Sequence, residues 1–190
     1  EFGFNFTSTR EISLNRNEKK EVSKVFFSTI YAKLLLFFIF FCGVIVYLEC
    51  LNKIHEYFSL LVAGGLTVFA NALYPIWFFQ GIEKVKIISI VTAISRAITL
   101  LLTLLFVKTE SDLHMAILVN SFLYIIPSLF GCALIFLSGS VIYVHVSLKD
   151  IYTCLKKSFP LFISNVSISL YSTLNTIVLG KYSSPTIVGN

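Results

Sequence analysis

Arg96 is the residue of this 190-residue chain whose chemistry most needs an explanation. It lies inside a run, residues 87–107, that otherwise holds no Asp, Glu, Lys or Arg. Ser89, Thr92, Arg96, Thr99 and Thr103 recur there at intervals of 3, 4, 3 and 4, which makes one narrow polar stripe on a helix apolar elsewhere. Ten residues separate Arg96 from Lys86, so the guanidinium sits about 15 Å into a bilayer. A central arginine there costs at least about 2.5–3.5 kcal/mol. A carboxylate, a water-filled cavity or an anionic ligand has to offset that. All ten acidic residues (Glu1, Glu11, Glu18, Glu21, Glu49, Glu56, Glu83, Glu110, Asp112 and Asp150) fall in loops or flanks. The expectation is a cationic cavity whose guest is an anion, with phosphate suited to the guanidinium fork. A carboxylate supplied from outside this sequence is the alternative.

Other polar series are less pointed. Gly64, Thr67, Asn71 and Pro75 form one, and Asn120, Tyr124, Ser128 and Gly131 another. Residues 164–176 are the most polar, with Asn165 and Asn175 among several Ser and Thr. Such residues also serve plain helix–helix packing, so a shared polar lumen and packing both remain open. From Leu34 to Tyr47 there is no stripe, and that face is expected to meet lipid. Lys33 lies near a span end, where its stem can snorkel to the surface.

Enzyme chemistry finds no constellation. There is no paired carboxylate in a span, no HExxH, no Gly-rich phosphate loop and no Ser/His/Asp set; His55, His114 and His145 are scattered. Cys42, Cys50, Cys132 and Cys154 never come as a close pair, so neither zinc nor redox spacing exists, and they read as small apolar fillers. No metal site, cofactor or catalytic residue is expected.

The elements that must position these groups follow from composition. Hydrophobic residues make up 56% and charged residues 13%, against about 25% charged in a soluble domain. Too little charge remains to solvate a globule, and its clumping marks a membrane protein. Spans need about 20 mostly apolar residues, and five candidates meet that length, near 27–48, 57–79, 86–107, 115–138 and 159–180. The fold class is all-α, a polytopic membrane helix bundle. Lys and Arg alternate by loop, ten on one side (Arg10, Arg16, Lys19, Lys20, Lys24, Lys84, Lys86, Lys149, Lys156, Lys157) against three on the other (Lys53, Lys108, Lys181). The ten-residue side is cytoplasmic by the positive-inside rule, which also accounts for the net charge of +5 without nucleic acid. Trp77-Phe78-Phe79 is expected at the cytoplasmic interface as an aromatic belt, followed by a short turn with Gly81 at a helix C-terminus. Two segments read as in-plane helices. One opens at Asn17-Glu18 with Asn17 as N-cap; the other is 148–159, where Leu148, Ile151, Tyr152, Leu155 and Phe159 oppose Lys149, Asp150, Lys156 and Lys157. The opening on Glu1 in mid-phrase and the stop at Asn190 read as an internal piece of a longer protein.

Three phrases carry a family resemblance. Phe2-Gly3-Phe4-Asn5-Phe6-Thr7-Ser8-Thr9-Arg10-Glu11-Ile12-Ser13 resembles the end of the second helix of bacterial O-antigen flippases, in the polysaccharide-exporter branch of the multidrug/oligosaccharidyl-lipid/polysaccharide superfamily. Ala72-Leu73-Tyr74-Pro75-Ile76-Trp77-Phe78-Phe79-Gln80-Gly81-Ile82-Glu83-Lys84 is similar to that family's fourth-helix exit. Lys156-Lys157-Ser158-Phe159-Pro160-Leu161-Phe162-Ile163-Ser164-Asn165, continuing through Ser169-Leu170-Tyr171 to Leu179-Gly180, resembles the start of its second lobe.

The resemblance implies part of a twelve-helix, two-lobe transporter. Residues 1–147 would hold the end of helix 2, a cytoplasmic segment and helices 3–6 of the N-terminal lobe. Residues 148–158 would be an amphipathic cytoplasmic linker, and 159–190 the start of the C-terminal lobe with helix 7. It implies a flippase of the bacterial inner membrane, serving O-antigen and lipopolysaccharide biosynthesis. The cargo would be undecaprenyl-pyrophosphate-linked repeat units, moved from the cytoplasmic to the periplasmic leaflet by alternating access. Its partners would be the lipid-linked oligosaccharide, membrane lipids and other polysaccharide-assembly membrane proteins. Arg96 would meet the pyrophosphate, with Thr92, Thr99, Asn71, Asn165 and Asn175 as further substrate contacts, and Arg10 would hold a gate or a headgroup. The alternatives are a drug/cation antiporter of the same superfamily, which needs a membrane-embedded carboxylate, and an O-antigen polymerase or glycosyltransferase, which needs a sizeable external loop.

Overall fold

The computed structural model describes residues 2–109 and 112–182, with 175–182 described by backbone alone. Seven helices follow one another among the described residues: α1 Phe4–Leu14, α2 Lys19–Cys50, α3 Ile54–Leu73, α4 Ile76–Gly81, α5 Val85–Phe106, α6 Leu113–Leu137 and α7 Leu148–Tyr182. Among the described residues there is no strand, as an all-α membrane bundle requires. Four stretches among the described residues are long and apolar enough to cross a membrane: α2, α3 with α4, α5 and α6. They match the first four expected spans to within a few residues, except that α2 begins eight residues earlier. The fifth expected span, 159–180, lies within α7.

Helix boundaries have local causes. Tyr74 is extended (φ −65°, ψ 113°), as the residue before a proline prefers, and Pro75 offers no N–H to continue α3. The chain restarts at once as α4, because Phe78 N–H bonds the Pro75 carbonyl at 3.0 Å. Three helices end in a left-handed residue, namely Asn52 (φ 54°), Glu83 (φ 57°) and Gly139 (φ 60°). In each, the next amide reaches back five residues: Lys53 to Leu48, Lys84 to Phe79 and Ser140 to Ile135. The α7 start is a capping box, with Ser147 N–H bonding Asp150 Oδ2 at 3.0 Å and Asp150 N–H bonding Ser147 Oγ at 3.3 Å.

Gly81 closes α4 for a different reason from the one its type suggests. A Cβ there would stand 2.7 Å from the Ile12 Cβ, so the glycine serves the approach of α1 to α4, and the left-handed position falls to Glu83. Gly131 works likewise, since a Cβ would meet Pro75 Cγ at 2.8 Å and hold α6 off the α3–α4 break.

Two sequence expectations are corrected. No separate in-plane helix opens at Asn17. Glu18, not Asn17, precedes the first helical residue, and the basic stretch 19–24 is the first part of α2 itself. Trp77, Phe78 and Phe79 are no lipid-facing belt either. They are 0%, 0% and 5% exposed and form the core with Ile12, Val22, Phe26, Ile88, Ile135 and Val141. Residue type alone put them at the interface; packing of α1 and α2 over α4 buries them. This core lies at the end that carries the basic loops. The expected linker and helix-7 segment form one continuous helix, α7, with Pro160 inside it.

Candidate functional site

Among the described residues, Tyr124 of α6 lines two cavities that open between the spans. One, of about 340 Å³, lies between the α3–α4 break, α5 and α6, and holds Arg96 with Ser89, Thr92 and Tyr74. Thr92 gives its proton to the Ile88 carbonyl at 2.8 Å, so its oxygen accepts from Tyr74 Oη, also at 2.8 Å. That bond ties α5 to the α3–α4 break and sets the position of the wall one turn before Arg96. Arg96 is exposed. Among the described residues no carboxylate pairs with it: the ion pairs there are Arg16–Glu83, Lys24–Asp150 and Lys157–Glu11.

The second cavity, of about 460 Å³, lies between the start of α1, α2, α3 and α6. Its polar wall is Asn5, Lys33, Thr67, Asn71 and Asn120, completed by Tyr124. Lys33 is half-buried, and its Nζ stands 5.8 Å from the centre of the Trp77 ring, a cation–π distance. The indole beneath is fully buried, so this ammonium turns inward over the aromatic core and does not reach for the surface. Phenyl rings, Phe37 and Phe40 among them, supply the apolar wall, so the Leu34–Tyr47 segment is not purely lipid-facing.

The expected site residues are therefore divided. Arg96 and Thr92 share the first cavity, and Asn71 lies in the second. Thr99 is 8% exposed, buried on α5, and its Oγ1 has no hydrogen-bond partner among the described residues. It lines neither cavity. One turn earlier Ser95 Oγ reaches the Phe122 carbonyl at 2.9 Å, which fixes α5 against α6. Asn165 is half-buried on α7, away from both cavities, and the side chain of Asn175 lies outside the described residues. Arg10 is exposed on α1, in a further surface cavity with Thr9, Ser13 and Gln80. Lys33 and Tyr74 are cavity residues that the stripes did not single out, whereas Tyr124, beside Asn120, belongs to a series the sequence did show.

At the basic end, α7 meets α1 and α2 through polar contacts. Lys24 Nζ is 2.9 Å from Asp150 Oδ1, Lys157 pairs with Glu11, and Thr7 Oγ1 is 2.7 Å from Ser158 Oγ. Arg16 grips Glu83 with both nitrogens, at 2.6 and 3.0 Å. Hydrogen bonding from Arg16, then its charge, lowers the Glu83 carboxyl below its ordinary range. Burial raises the Cys154 thiol, which favours the uncharged form beside Thr29.

The polysaccharide biosynthesis protein family matches the chain over residues 1–190. The chain is 32% identical over 190 residues to a candidate O-antigen transporter of Escherichia coli (strain K12), covering 100% of this chain and 46% of that relative. It is 28% identical over 193 residues to a candidate O-antigen transporter of Shigella dysenteriae, covering 100% and 47%. It thus spans about half the length of these curated relatives. No solved structure matches it.

Proposed function

Because the chain belongs to the polysaccharide biosynthesis protein family, we propose that the protein is a flippase for lipid-linked saccharide. Its cargo is an undecaprenyl-pyrophosphate-linked O-antigen repeat unit, moved from the cytoplasmic to the periplasmic leaflet of the bacterial inner membrane by alternating access. The basic loops face the cytoplasm. The relatives' description as O-antigen transporters supports the cargo class. The observation that carries the reading is Arg96, set in an open cavity deep in a span with no carboxylate partner among the described residues. A guanidinium so placed offers two parallel donors to a phosphate in surroundings of low dielectric, where charge-assisted bonds gain strength. Thr92, anchored to Tyr74, keeps the adjoining wall polar. Only the headgroup needs this path; the prenyl chain stays in the bilayer. The reading is of a transporter and not an enzyme.

In the full-length protein, Arg96→Ala is expected to abolish surface polysaccharide while membrane insertion persists. Arg96→Lys keeps the charge but loses the fork and is expected to preserve export in part. Normal export by Arg96→Ala, scored on surface polysaccharide with protein level held equal, overturns the reading.

A further inference from the structure

The cavity that holds Lys33 has a chemistry different from that around Arg96. Its volume of about 460 Å³ falls in the range of ligand sites, roughly 300–1,000 Å³. Three side-chain amides, Asn5, Asn71 and Asn120, converge on it from three helices, with Thr67 beside them. An amide offers donors and an acceptor in one rigid plane, which suits a ring of hydroxyl groups, each a donor and an acceptor. The phenyl groups opposite present flat apolar faces. An alkyl chain has no use for amides, and facing Asn71 and Asn120 with hydrocarbon is unfavourable. Lys33 adds a compact point charge, held over Trp77.

We infer that this second cavity is a saccharide subsite: Asn71 and Asn120 read the hydroxyls of the sugar next to the pyrophosphate, Lys33 meets negative charge on or beside that sugar, and Tyr124 stands between sugar and phosphate subsites. The inference rests on the flippase reading and deepens it. The two cavities share the Tyr124 wall, so one headgroup reaches both, and the Lys33 cavity is where sugars are told apart. Arg96 then serves every cargo alike, whatever its sugars.

Two probes separate the subsites in the purified full-length protein: farnesyl pyrophosphate, and farnesyl pyrophosphate carrying one hexuronic acid, whose carboxylate gives Lys33 a negative charge to meet. Binding is read by thermal shift and by the fluorescence of Trp77, taken as the difference from a Trp77→Phe protein. The sugar-bearing probe is expected to bind about ten-fold tighter, the worth of one or two hydrogen bonds. Asn71→Leu and Lys33→Gln are expected to erase that difference while binding of the bare probe stays unchanged; Arg96→Ala weakens both probes. Should Asn71→Leu fail to fold, the isosteric Asn71→Asp, which sets a carboxylate in the same place, is expected to reverse the preference. Equal binding of the two probes to the unaltered protein overturns the saccharide subsite and leaves the flippase reading standing. So does an equal loss for both probes in Asn71→Leu and Lys33→Gln, which marks these residues as supports of the fold. Binding of neither probe overturns the flippase reading itself, and the subsite with it.

Discussion

The basic end of the molecule and the deeper half of its spans are built on different physics. At the basic end, α1, α4 and the first turns of α2 bury Ile12, Phe26, Trp77 and Phe78 as completely as a soluble core does, and charged groups pair around the rim. Deeper in, Leu101, Leu104 and Phe106 of α5 and Phe38 to Phe40 of α2 stay exposed, and the helices meet through hydroxyls and small residues. Ser128 Oγ bonds the Ala70 carbonyl at 2.6 Å, and Ser95 does the same across α5 and α6. Lipid is as apolar as leucine, so burying leucine between spans gains little there, and close approach with hydrogen bonds must hold the helices instead. The consequence is a firm base and loosely filled spans, and both cavities with their amides and cations open where the two meet, walled in part by α1 and by the α3–α4 break.

The contrast is open to direct attack. Trp77→Ala removes a fully buried indole from the base and is expected to cost about 3–5 kcal/mol. Leu104→Ala, at a side chain 67% exposed, is expected to stay within about 0.5 kcal/mol. Thermal unfolding of the full-length protein in detergent compares the two, and similar losses break the contrast. A finer version uses glycine. In Gly81→Ala the new methyl meets Ile12 Cβ at 2.7 Å and the Thr9 carbonyl at 3.1 Å, and neither can swing aside. Overpacking of that kind costs about 1–3 kcal/mol. Gly64, deeper in α3, has nothing within 4 Å, so Gly64→Ala is expected to raise stability by up to about 1 kcal/mol through helix propensity alone. Opposite signs sharpen the contrast, and equal signs remove it.

The spans were legible in the sequence because the length of an uncharged run is tied to the thickness of hydrocarbon, a constraint that acts within one helix. What lay on each face was less so. Thr92 and Thr99 share a stripe, yet one lines a cavity and the other is buried on α5, because a helix's own sequence cannot say which neighbour will cover it. Lys33 read as a snorkelling residue for the same reason: its ring partner, Trp77, is far along the chain. The aromatic run at 77–79 had the composition of a belt, and only the docking of α1 turned it into a core. Arg96 was the exception. That no Asp or Glu of this sequence falls inside an expected span is countable before any fold is known.

The polar seam between α2 and α7 allows the smallest test. The Asp150 carboxyl, ordinarily near 3.8, is lowered to about 2, first by the hydrogen bond from Lys24 and then by those from the Ser147 hydroxyl and amide. A carboxyl lowered by folding favours the folded state above its unfolded value and loses that contribution as pH falls through the folded one. The contribution is therefore complete from neutral pH down to about 4 and fades only between about 4 and 2. Asp150 lies at the surface, where solvent screens the pair, so its weight is slight against that of the aromatic core beside it. The unfolding midpoint of Asp150→Asn is thus expected to fall a little below that of the unaltered protein, by the same margin from pH 8 to pH 5, and the margin closes only in stronger acid. A margin that already shrinks between pH 7 and pH 5 shows that Asp150 is not held by Lys24 and Ser147. The seam would then be a weaker joint than the aromatic base it adjoins, and the division between a firm basic end and a loose interior would have to be drawn below α7.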